Sequence, residues 1–376
     1  MPARQRMAAA AAAAGAITAL GLAVSPAASA QPADPHAYLS HFSKITTGAS
    51  TVPRNGDVNP YGVFIVRHTT GRLHAGSVLV SNFNDKANQQ GTGKTIVQIS
   101  PGGHRSLFAK ISPGKLPGRC PGGVGLTTAL EVLPGGWVVV GSTPSRNGMA
   151  ATARAGCLIV LNSMGQVKET ISGHGINGPW DAAAVTTHLG VDLFVANVLN
   201  GTVAAHGNVV HRGTVLRLAL QLHHSGPPTL VSSTTVGSGY GQRTDPSAFV
   251  LGPTGLGLDR HGRLFVAETL TSRIFAIPDA LTRTSSAGPG MLVTEGGRLN
   301  MPLGLAIAPN GHVITVNGGD GRIVETTPDG DQIFSRFLNT SGSPKGSGAL
   351  FGLAVLPGHG GVYFVDDIAN TLRLLN

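Results

Sequence analysis

The chain has 376 residues, of which 54 are glycine and 24 are proline, so about a fifth of its positions favour turns. Charged residues make up 12% and apolar residues 41%, which excludes a disordered chain, because disorder needs low hydrophobicity and many charges. Alanine is concentrated near the start of the chain, and Glu and Lys are sparse, which argues against a helical bundle. An all-β chain with many short strands and tight turns remains.

The chain begins with a pattern typical of a secretory signal peptide. Arg4 and Arg6 precede an apolar run from Met7 to Val24, and Ala28-Ser29-Ala30 matches the small-residue cleavage pattern. We predict a signal peptide over residues 1–30, cleaved after Ala30, and a secreted or periplasmic protein. A membrane anchor is the alternative, although the run is barely long enough to span a bilayer. No other stretch approaches that length, so no stable membrane span is expected after cleavage.

The distribution of charge along the chain argues against a nucleic-acid partner, although the net charge is positive. Cleavage removes two arginines and no acids, which leaves 25 Lys and Arg against 18 Asp and Glu and lowers the formal charge from +9 to +7. These charges form no run and do not interleave with aromatic residues, as they do in nucleic-acid-binding surfaces.

The chain has two cysteines, Cys120 and Cys157, and they predict a structural disulfide. Export implies an oxidising compartment, and redox catalysis would need more closely spaced thiols.

The second half of the chain repeats one pattern: a small-residue turn, an apolar strand, a glycine-containing turn and a second apolar strand. Three clear copies begin at Gly252-Pro253-Thr254-Gly255, Met301-Pro302-Leu303-Gly304 and Ala349-Leu350-Phe351-Gly352. A polar cluster and a third strand follow in each copy. Glycine turns between apolar runs, such as Asn310-Gly311, are strong hairpin signals. Three looser copies precede them, so the chain contains six units.

Six such units predict one all-β domain over residues 31–376, a six-bladed β-propeller of four-stranded antiparallel blades. The predicted blades span about 60–112, 127–172, 179–236, 253–295, 302–338 and 350–376. The last unit has only three strands, so we expect the segment 38–46 to supply its outer strand and close the ring. A pair of β-sandwiches or a solenoid is the alternative, but neither needs the same pattern six times.

The later units resemble NHL-repeat propellers. The segments that match that repeat run from Val266 to Ile274, from Val316 to Ile323 and from Val365 to Leu372. The resemblance implies the propeller fold and a binding role, with a few lyases among the members. The chain is also similar in outline to the propellers of the gluconolactonase, regucalcin and strictosidine synthase-like group, several of which hold a central calcium ion. Calcium is therefore a candidate cofactor, although Thr254, Leu303 and Phe351 stand where those proteins have a ligand Asn.

In a four-stranded blade, the loop leading into the first strand and the loop joining the second and third strands lie on one side of the ring. We call this side the polar-loop face, and it also brings Cys120 close to Cys157. The residues predicted to bind a ligand there are Asn82, Asn84, Asp85, Trp180, Asp181, Asn197, Asn200, Glu268, Asn317, Asp320, Asp366 and Asp367. Asp181 is expected in a leading loop, and Trp180 either stacks on a sugar or packs between blades. The polar groups either satisfy turn backbones or form an oxygen-rich calcium or sugar site.

Two functions follow from this prediction. The first is a monomeric binding scaffold that holds a protein, a glycan or a small polar ligand on the polar-loop face. The alternative is a calcium-dependent hydrolase or lyase at the channel mouth, in which an acid acts as general base; the candidates are Glu268, Asp320, Asp366 and Asp181. Binding is favoured, because no nucleophile and base pair can be assembled from the residues. No metal ligands can be assigned from the sequence.

Overall fold

Each of the six sequence units folds into an antiparallel sheet, and the six sheets stand in a ring, which confirms the predicted β-propeller. The computed structural model describes residues 36–358 and 360–376, and the predicted signal peptide lies outside the described residues. The innermost strands of successive blades are neighbours, and the innermost strand of the last blade lies beside that of the first. The ring is therefore closed around a central channel.

Within each of the first five blades, the strands follow one another from the channel outwards. The first strand of the chain, β1 (Ile45–Ser50), belongs to the last blade. Blade one contains β2 (Val58–Ile65), β3 (Val78–Asn84), β4 (Thr95–Ile99) and β5 (Arg105–Lys110). Blade two contains β6 (Leu126–Leu133), β7 (Trp137–Ser142), β8 (Cys157–Leu161) and β9 (Val167–Ile171). Blade three contains β10 (Gly178–Thr187), β11 (Gly190–Val198), β12 (Val210–Gln221) and β13 (Thr229–Asp245), with the short β14 (Phe249–Leu251) paired to the end of β13.

The last three blades are more regular. Blade four contains β15 (Pro253–Leu258), β16 (Leu264–Glu268), β17 (Arg273–Ile277) and β18 (Met291–Glu295). Blade five contains β19 (Pro302–Ile307), β20 (Val313–Asn317), β21 (Arg322–Thr326) and β22 (Gln332–Phe337). Blade six contains β23 (Leu350–Val355), β24 (Val362–Asp366) and β25 (Thr371–Leu375), followed by β1. Short 3-10 helices lie at Tyr38–His41, Pro113–Lys115, Pro134–Gly136 and Ala150–Thr152. Among the described residues, no helix has the length and the apolar character that a membrane span needs.

The N-terminal strand closes the ring, as predicted, but it begins later than expected. Strand β1 pairs antiparallel with β25, and Ile45 lies opposite Leu375. The segment Tyr38–His41, which we expected to start this strand, forms a 3-10 helix instead. The reason is a side-chain contact: the backbone N–H groups of Tyr38 and Leu39 both donate to the buried carboxylate of Glu325, so they are not available to a strand partner.

The hydrophobic core is divided among the interfaces between blades. One apolar cluster lies between each pair of neighbouring blades, including the pair that joins blade six to blade one. Each middle strand is therefore covered on both faces, and all residues of β3, β8, β16 and β20 are buried. This double burial explains why apolar residues dominate these strands instead of alternating with polar ones, and why the polar residues in them are buried as well.

The glycines of the repeated leading motif allow the innermost strands to approach one another. A Cβ atom on Gly352 would lie 1.9 Å from the carbonyl oxygen of Tyr61 in the next blade, and one on Gly255 would lie 2.3 Å from the carbonyl oxygen of Leu303. Both glycines lie where the innermost strand shifts register against the second strand. Any larger residue at these positions would push neighbouring blades apart.

Cys120 and Cys157 form a disulfide, which confirms the predicted pairing. Cys120 lies in the loop leading into blade two, Cys157 is the first residue of β8, and their Cα atoms are 5.2 Å apart. The bond therefore ties a long leading loop to the sheet that follows it.

Removal of this disulfide should destabilise the protein. We expect the double variant Cys120→Ala/Cys157→Ala to lose roughly 3–4 kcal/mol of unfolding free energy, because a cross-link of this loop length restricts the unfolded chain. Urea unfolding of the wild type, with and without dithiothreitol, measures the effect. The double variant should not respond to the reductant, and an unchanged wild-type midpoint in reductant would contradict the prediction.

Candidate functional site

One polar residue occupies an equivalent position in every blade of the polar-loop face. It lies at or near the end of the second strand, opposite the start of the innermost strand, and it is buried in all six cases. The six residues are Asn82, Ser142, Asn197, Glu268, Asn317 and Asp366. Five of them were predicted site residues. Ser142 was not, although the repeat pattern could have identified it, because it ends the second strand of its unit.

Five of these six side chains hold the segment that leads into their own blade, and Glu268 holds β13, the outer strand of blade three. Asn197 shows the arrangement best: its Oδ1 accepts hydrogen bonds from the backbone N–H groups of Asn177 and Gly178 at 2.7 and 2.9 Å, and its Nδ2 donates to the carbonyl of Gly175. The other five make at least one comparable bond each, to Thr51, Gly123, Gly241, Arg298 and Asn339. In five blades the repeated polar position therefore fixes the leading segment to the sheet.

The remaining polar residues predicted for this face also make local hydrogen bonds. Asp85 accepts from the backbone N–H groups of residues 87 and 89, and Asn200 donates to the carbonyl of Arg212. Asn84 donates to the side chain of Asn88, and Asp320 accepts from Asn317 and from the backbone of Arg322. Asp367 differs, because burial and the neighbouring Asp366 carboxylate raise its pKa to about 7.

An aromatic cluster fills the channel at the polar-loop face. Tyr61 stacks on Phe351 at a centroid distance of 4.2 Å and on Phe83 at 4.5 Å, and its ring lies edge-on to Trp180 at 5.7 Å. Phe249 completes the cluster against Phe83 and Trp180. These side chains come from blades one, three and six, with Phe249 on the short β14 of blade three, so they meet across the ring axis. Trp180 is only 2% exposed, and it packs inside the protein rather than presenting a stacking surface.

The open part of the channel lies beyond this aromatic cluster, towards the opposite face. It is a cavity of about 280 Å³, lined by residues from the innermost strands of all six blades. A second cavity of about 640 Å³ adjoins it and shares Phe64, Arg67, Glu131 and Ala184 with it. We call this side the hairpin face, because the loops that join first and second strands, such as Pro134–Gly136, form it. A small molecule can therefore approach the channel from the hairpin face.

Two carboxyl groups lie in this cavity. The structure places Asp181 within β10 rather than in a leading loop, and its Oδ2 accepts a hydrogen bond from the backbone N–H of Leu256 at 2.9 Å. Glu131, on β6, accepts from the backbone N–H of Ala184. Each acid therefore bridges its own innermost strand to that of the next blade. Both are surrounded by protein, yet each keeps some surface accessible from the channel.

Burial changes the ionisation of both acids. It raises the pKa of Asp181 to about 7, although the N–H groups of Leu256 and Ala182 stabilise the carboxylate and oppose the shift. It also raises the pKa of Glu131 well above its ordinary value, and the Asp181 carboxylate adds to that rise while Arg67 opposes it. Near neutral pH Asp181 therefore retains a proton far more readily than an ordinary carboxyl group does, and the pKa of Glu131 is shifted in the same direction.

Stability should fall as pH rises through the titration of Asp181. The folded protein keeps a proton on Asp181 between pH 4 and 7 that the unfolded chain releases, so the stabilisation from this group is present at low pH and lost as pH approaches about 7. We expect Asp181→Asn to flatten the decline in melting temperature between pH 5 and 8. The exposed turn residue Asp329 provides the control variant Asp329→Asn, which should keep the wild-type profile. If both variants show the same decline in melting temperature with pH as the wild type, the raised pKa of Asp181 is wrong.

Glu131 and Arg67 were not predicted as site residues. Glu131 is a lone acid inside an apolar strand, which is a usable sequence signal, since an acid in such a strand needs a partner. Arg67 carries no such signal, because it follows β2 in an ordinary polar loop. Of the four predicted candidate bases, the structure places Asp181 in the cavity, whereas Glu268 holds β13, and Asp320 and Asp366 hold a turn and a leading segment.

Calcium was a candidate cofactor, and the described residues contain no cluster of acidic side chains that matches a calcium site. No three His, Cys, Asp or Glu side chains in residues 36–358 and 360–376 come together as a metal site would require. Calcium takes six to eight oxygen ligands, usually including several carboxylates. Asp366 is occupied by Asn339 and by an ion pair with Arg373, and Glu268 accepts from Gly241 and Thr271.

Comparison with known proteins establishes the fold and no more than the fold. The sequence matches no protein-family model and no curated protein sequence. Among solved structures, a gluconolactonase from Xanthomonas campestris superposes with a TM-score of 0.54 and 13% identity, over 93% of this chain and 98% of that one. The calcium-binding protein regucalcin from Agrobacterium tumefaciens has a TM-score of 0.52 and 13% identity, over 86% and 92% of the two chains.

A third similar structure is the PQQ-bound aldose sugar dehydrogenase from Streptomyces coelicolor. It has a TM-score of 0.52 and 16% identity, over 88% of this chain and 98% of that one. These three proteins differ in what they bind and catalyse, so the shared architecture does not identify an activity. Function has to be argued from the residues of the channel.

Proposed function

We propose that this protein is an exported, monomeric binding protein of the NHL type, whose small polar ligand enters the central channel from the hairpin face. The observation that carries the proposal is a cavity of about 280 Å³ that contains two carboxyl groups, Asp181 and Glu131. Ligand pockets are typically preformed, largely apolar hollows with a few convergent polar groups. A cavity of about 150 Å³ already holds benzene, so this one has room for a larger molecule.

The polar-loop face is a weaker place for a small ligand. Its repeated polar residues are engaged with the leading segments or, for Glu268, with β13, and the aromatic cluster fills the channel behind them. A protein or glycan that binds the loops themselves stays a prediction for this face. The channel differs because its acids keep accessible surface.

A variant that fills the cavity tests this proposal. Ala354 lines the cavity and is only partly buried, so Ala354→Phe should place a ring in the channel. The probes are n-pentylammonium, 1-pentanol, pentanoate, glucose and glucono-1,5-lactone. Binding of each probe is measured by ligand-observed NMR and by the change in melting temperature. We expect at least one probe to bind the wild type and to lose its signal with Ala354→Phe.

The matched control is Ala204→Phe, because Ala204 lies in an exposed loop of blade three, away from the cavity. This variant should bind as the wild type does. Absence of binding for all five probes, or binding that Ala354→Phe leaves intact, would overturn the channel as the ligand site.

The alternative function is a hydrolase or lyase that uses Asp181 as general base. The observation that favours it is the placement of Asp181 in the cavity with a pKa of about 7, since a general base works best with a pKa near the working pH. Hydrolysis of glucono-1,5-lactone and p-nitrophenyl acetate, with Asp181→Asn as the inactive variant, tests this function. Calcium dependence is tested separately by the melting temperature with calcium or with a chelator. A bound ion adds roughly 2.7 kcal/mol to the free energy of unfolding when its free concentration is a hundred times its Kd.

A further inference from the structure

We infer that the channel ligand is an organic cation, an aliphatic ammonium group held jointly by Asp181 and Glu131. This inference rests on the proposed function and names the chemistry of the same site. It is argued from the charges in the cavity, from the shape of its walls and from the number of acidic groups.

The first argument is the missing positive charge. None of the ion pairs among the described residues involves Asp181 or Glu131. Arg67 is the only cationic side chain among the residues that line the cavity; it acts on Glu131 electrostatically, but it is exposed at the rim and forms no ion pair with it. Buried carboxylates without a cationic partner are costly, so they retain a proton or take up a cation. A ligand ammonium group would supply the missing charge.

The second argument is the asymmetry of the cavity wall. The acids lie on blades two and three, and the side chains contributed by blades four to six are apolar or glycine. The largest of these apolar side chains are Leu256, Leu258, Leu305, Ile307, Leu353 and Val355. A molecule with an ammonium group at one end and a hydrocarbon chain at the other matches both sides of this wall. A sugar, which is polar all round, would leave the apolar side unmatched.

The third argument separates an organic cation from a metal ion. The cavity contains two carboxyl groups, and no cluster of three or more potential side-chain ligands of the His, Cys, Asp or Glu type occurs in the described chain. Hard metal ions need more oxygens than two acids provide. An ammonium group, in contrast, has three N–H donors, and two carboxyl groups with one backbone carbonyl satisfy them.

Binding of such a cation should displace protons. Asp181, Glu131 and Arg67 are the ionisable side chains that line the cavity, and burial raises the pKa of both acids, that of Asp181 to about 7. The ammonium group stabilises the charged form of each acid, so binding should release protons and should tighten as pH rises from 5 to 8. A neutral ligand that accepts a hydrogen bond from a protonated acid would show the opposite dependence.

Isothermal titration calorimetry with n-pentylammonium tests the inference. We expect 1-pentanol to bind at least tenfold more weakly, pentanoate not to bind, and proton release to appear as a difference between phosphate and Tris buffers at pH 7. Asp181→Asn and Glu131→Gln should each weaken n-pentylammonium at least tenfold and reduce the proton release. Asp192→Asn is the matched control, because Asp192 is a partly buried acid of blade three that does not line the cavity.

The outcomes distinguish this inference from the proposed function. If n-pentylammonium does not bind, but glucose, lactone, pentanol or pentanoate binds and loses its signal with Ala354→Phe, the cation is wrong and the channel site stands. If no probe binds, both fail. Equal affinity for n-pentylammonium and 1-pentanol, or wild-type affinity in both acid variants, would also overturn the inference. If one acid variant does not fold, the inference is still tested by the pH dependence of n-pentylammonium binding to the wild type and by the affinity of the other acid variant.

Discussion

Glu325→Gln should lower the free energy of unfolding by about 2–4 kcal/mol, because hydrogen bonds to a buried charged group are worth about 1.5–3 kcal/mol each. The Glu325 carboxylate is fully buried, and it accepts from the backbone N–H groups of Tyr38 and Leu39 at 2.8 Å and from His312 Nδ1 at 2.7 Å. Glutamine keeps one of the two oxygens and turns an N–H group towards a donor. Urea unfolding measures the loss.

The same variant should release the N-terminal segment before the rest of the protein unfolds. Arg336 also holds this segment, through the carbonyls of Phe42 and Ser43, so we expect limited proteolysis near residues 37–44 rather than global digestion. The control is Glu295→Gln, because the Glu295 side chain is 54% exposed and its ion pair with Arg273 lies on the surface. Losses of similar size in both variants would show that the Glu325 contacts do not anchor the chain.

Trp180→Ala should cost about 3–5 kcal/mol of unfolding free energy, the usual range for removing a large buried aromatic side chain. Trp180 is 2% exposed and contacts Tyr61, Phe83 and Phe249, so its removal leaves a cavity on the ring axis between blades one and three. The blades surround this axis, so the neighbouring side chains have little freedom to move into the cavity.

The second tryptophan provides a matched control. Trp137 begins β7 and is partly exposed, so Trp137→Ala should cost clearly less than Trp180→Ala in the same urea titration. Each variant keeps one tryptophan, which also allows its fluorescence to be followed separately. If the two variants lose equal stability, the axial aromatic cluster is not the stabilising feature that its burial indicates.

Much of the candidate site depended on contacts that are distant in sequence. The acids that form the cavity, Asp181 and Glu131, are 50 positions apart and lie on different blades, and Glu131 was not predicted at all. The sequence showed a polar residue after the second apolar run of most units, and the structure places Asn197, Asp366 and their equivalents at or near the end of the second strand. The sequence could not show that they face the leading segments, because a side chain's direction is set by strand register and packing.

The amino-acid sequence by itself determined the six repeated units, the strand pairing within each blade, the disulfide and the use of an N-terminal strand to close the ring. Most of these features depend on short-range patterns: apolar runs of strand length, glycine turns between them, and two cysteines in one unit. The closing strand follows instead from the last unit, which has only three strands of its own. Only the tertiary structure decided which end of the channel is open, because Tyr61, Trp180 and Phe351 meet from three blades and fill its polar-loop end. The anchoring of Tyr38 by Glu325 likewise joins residues 287 positions apart, and contacts of that range arise only once the ring has closed.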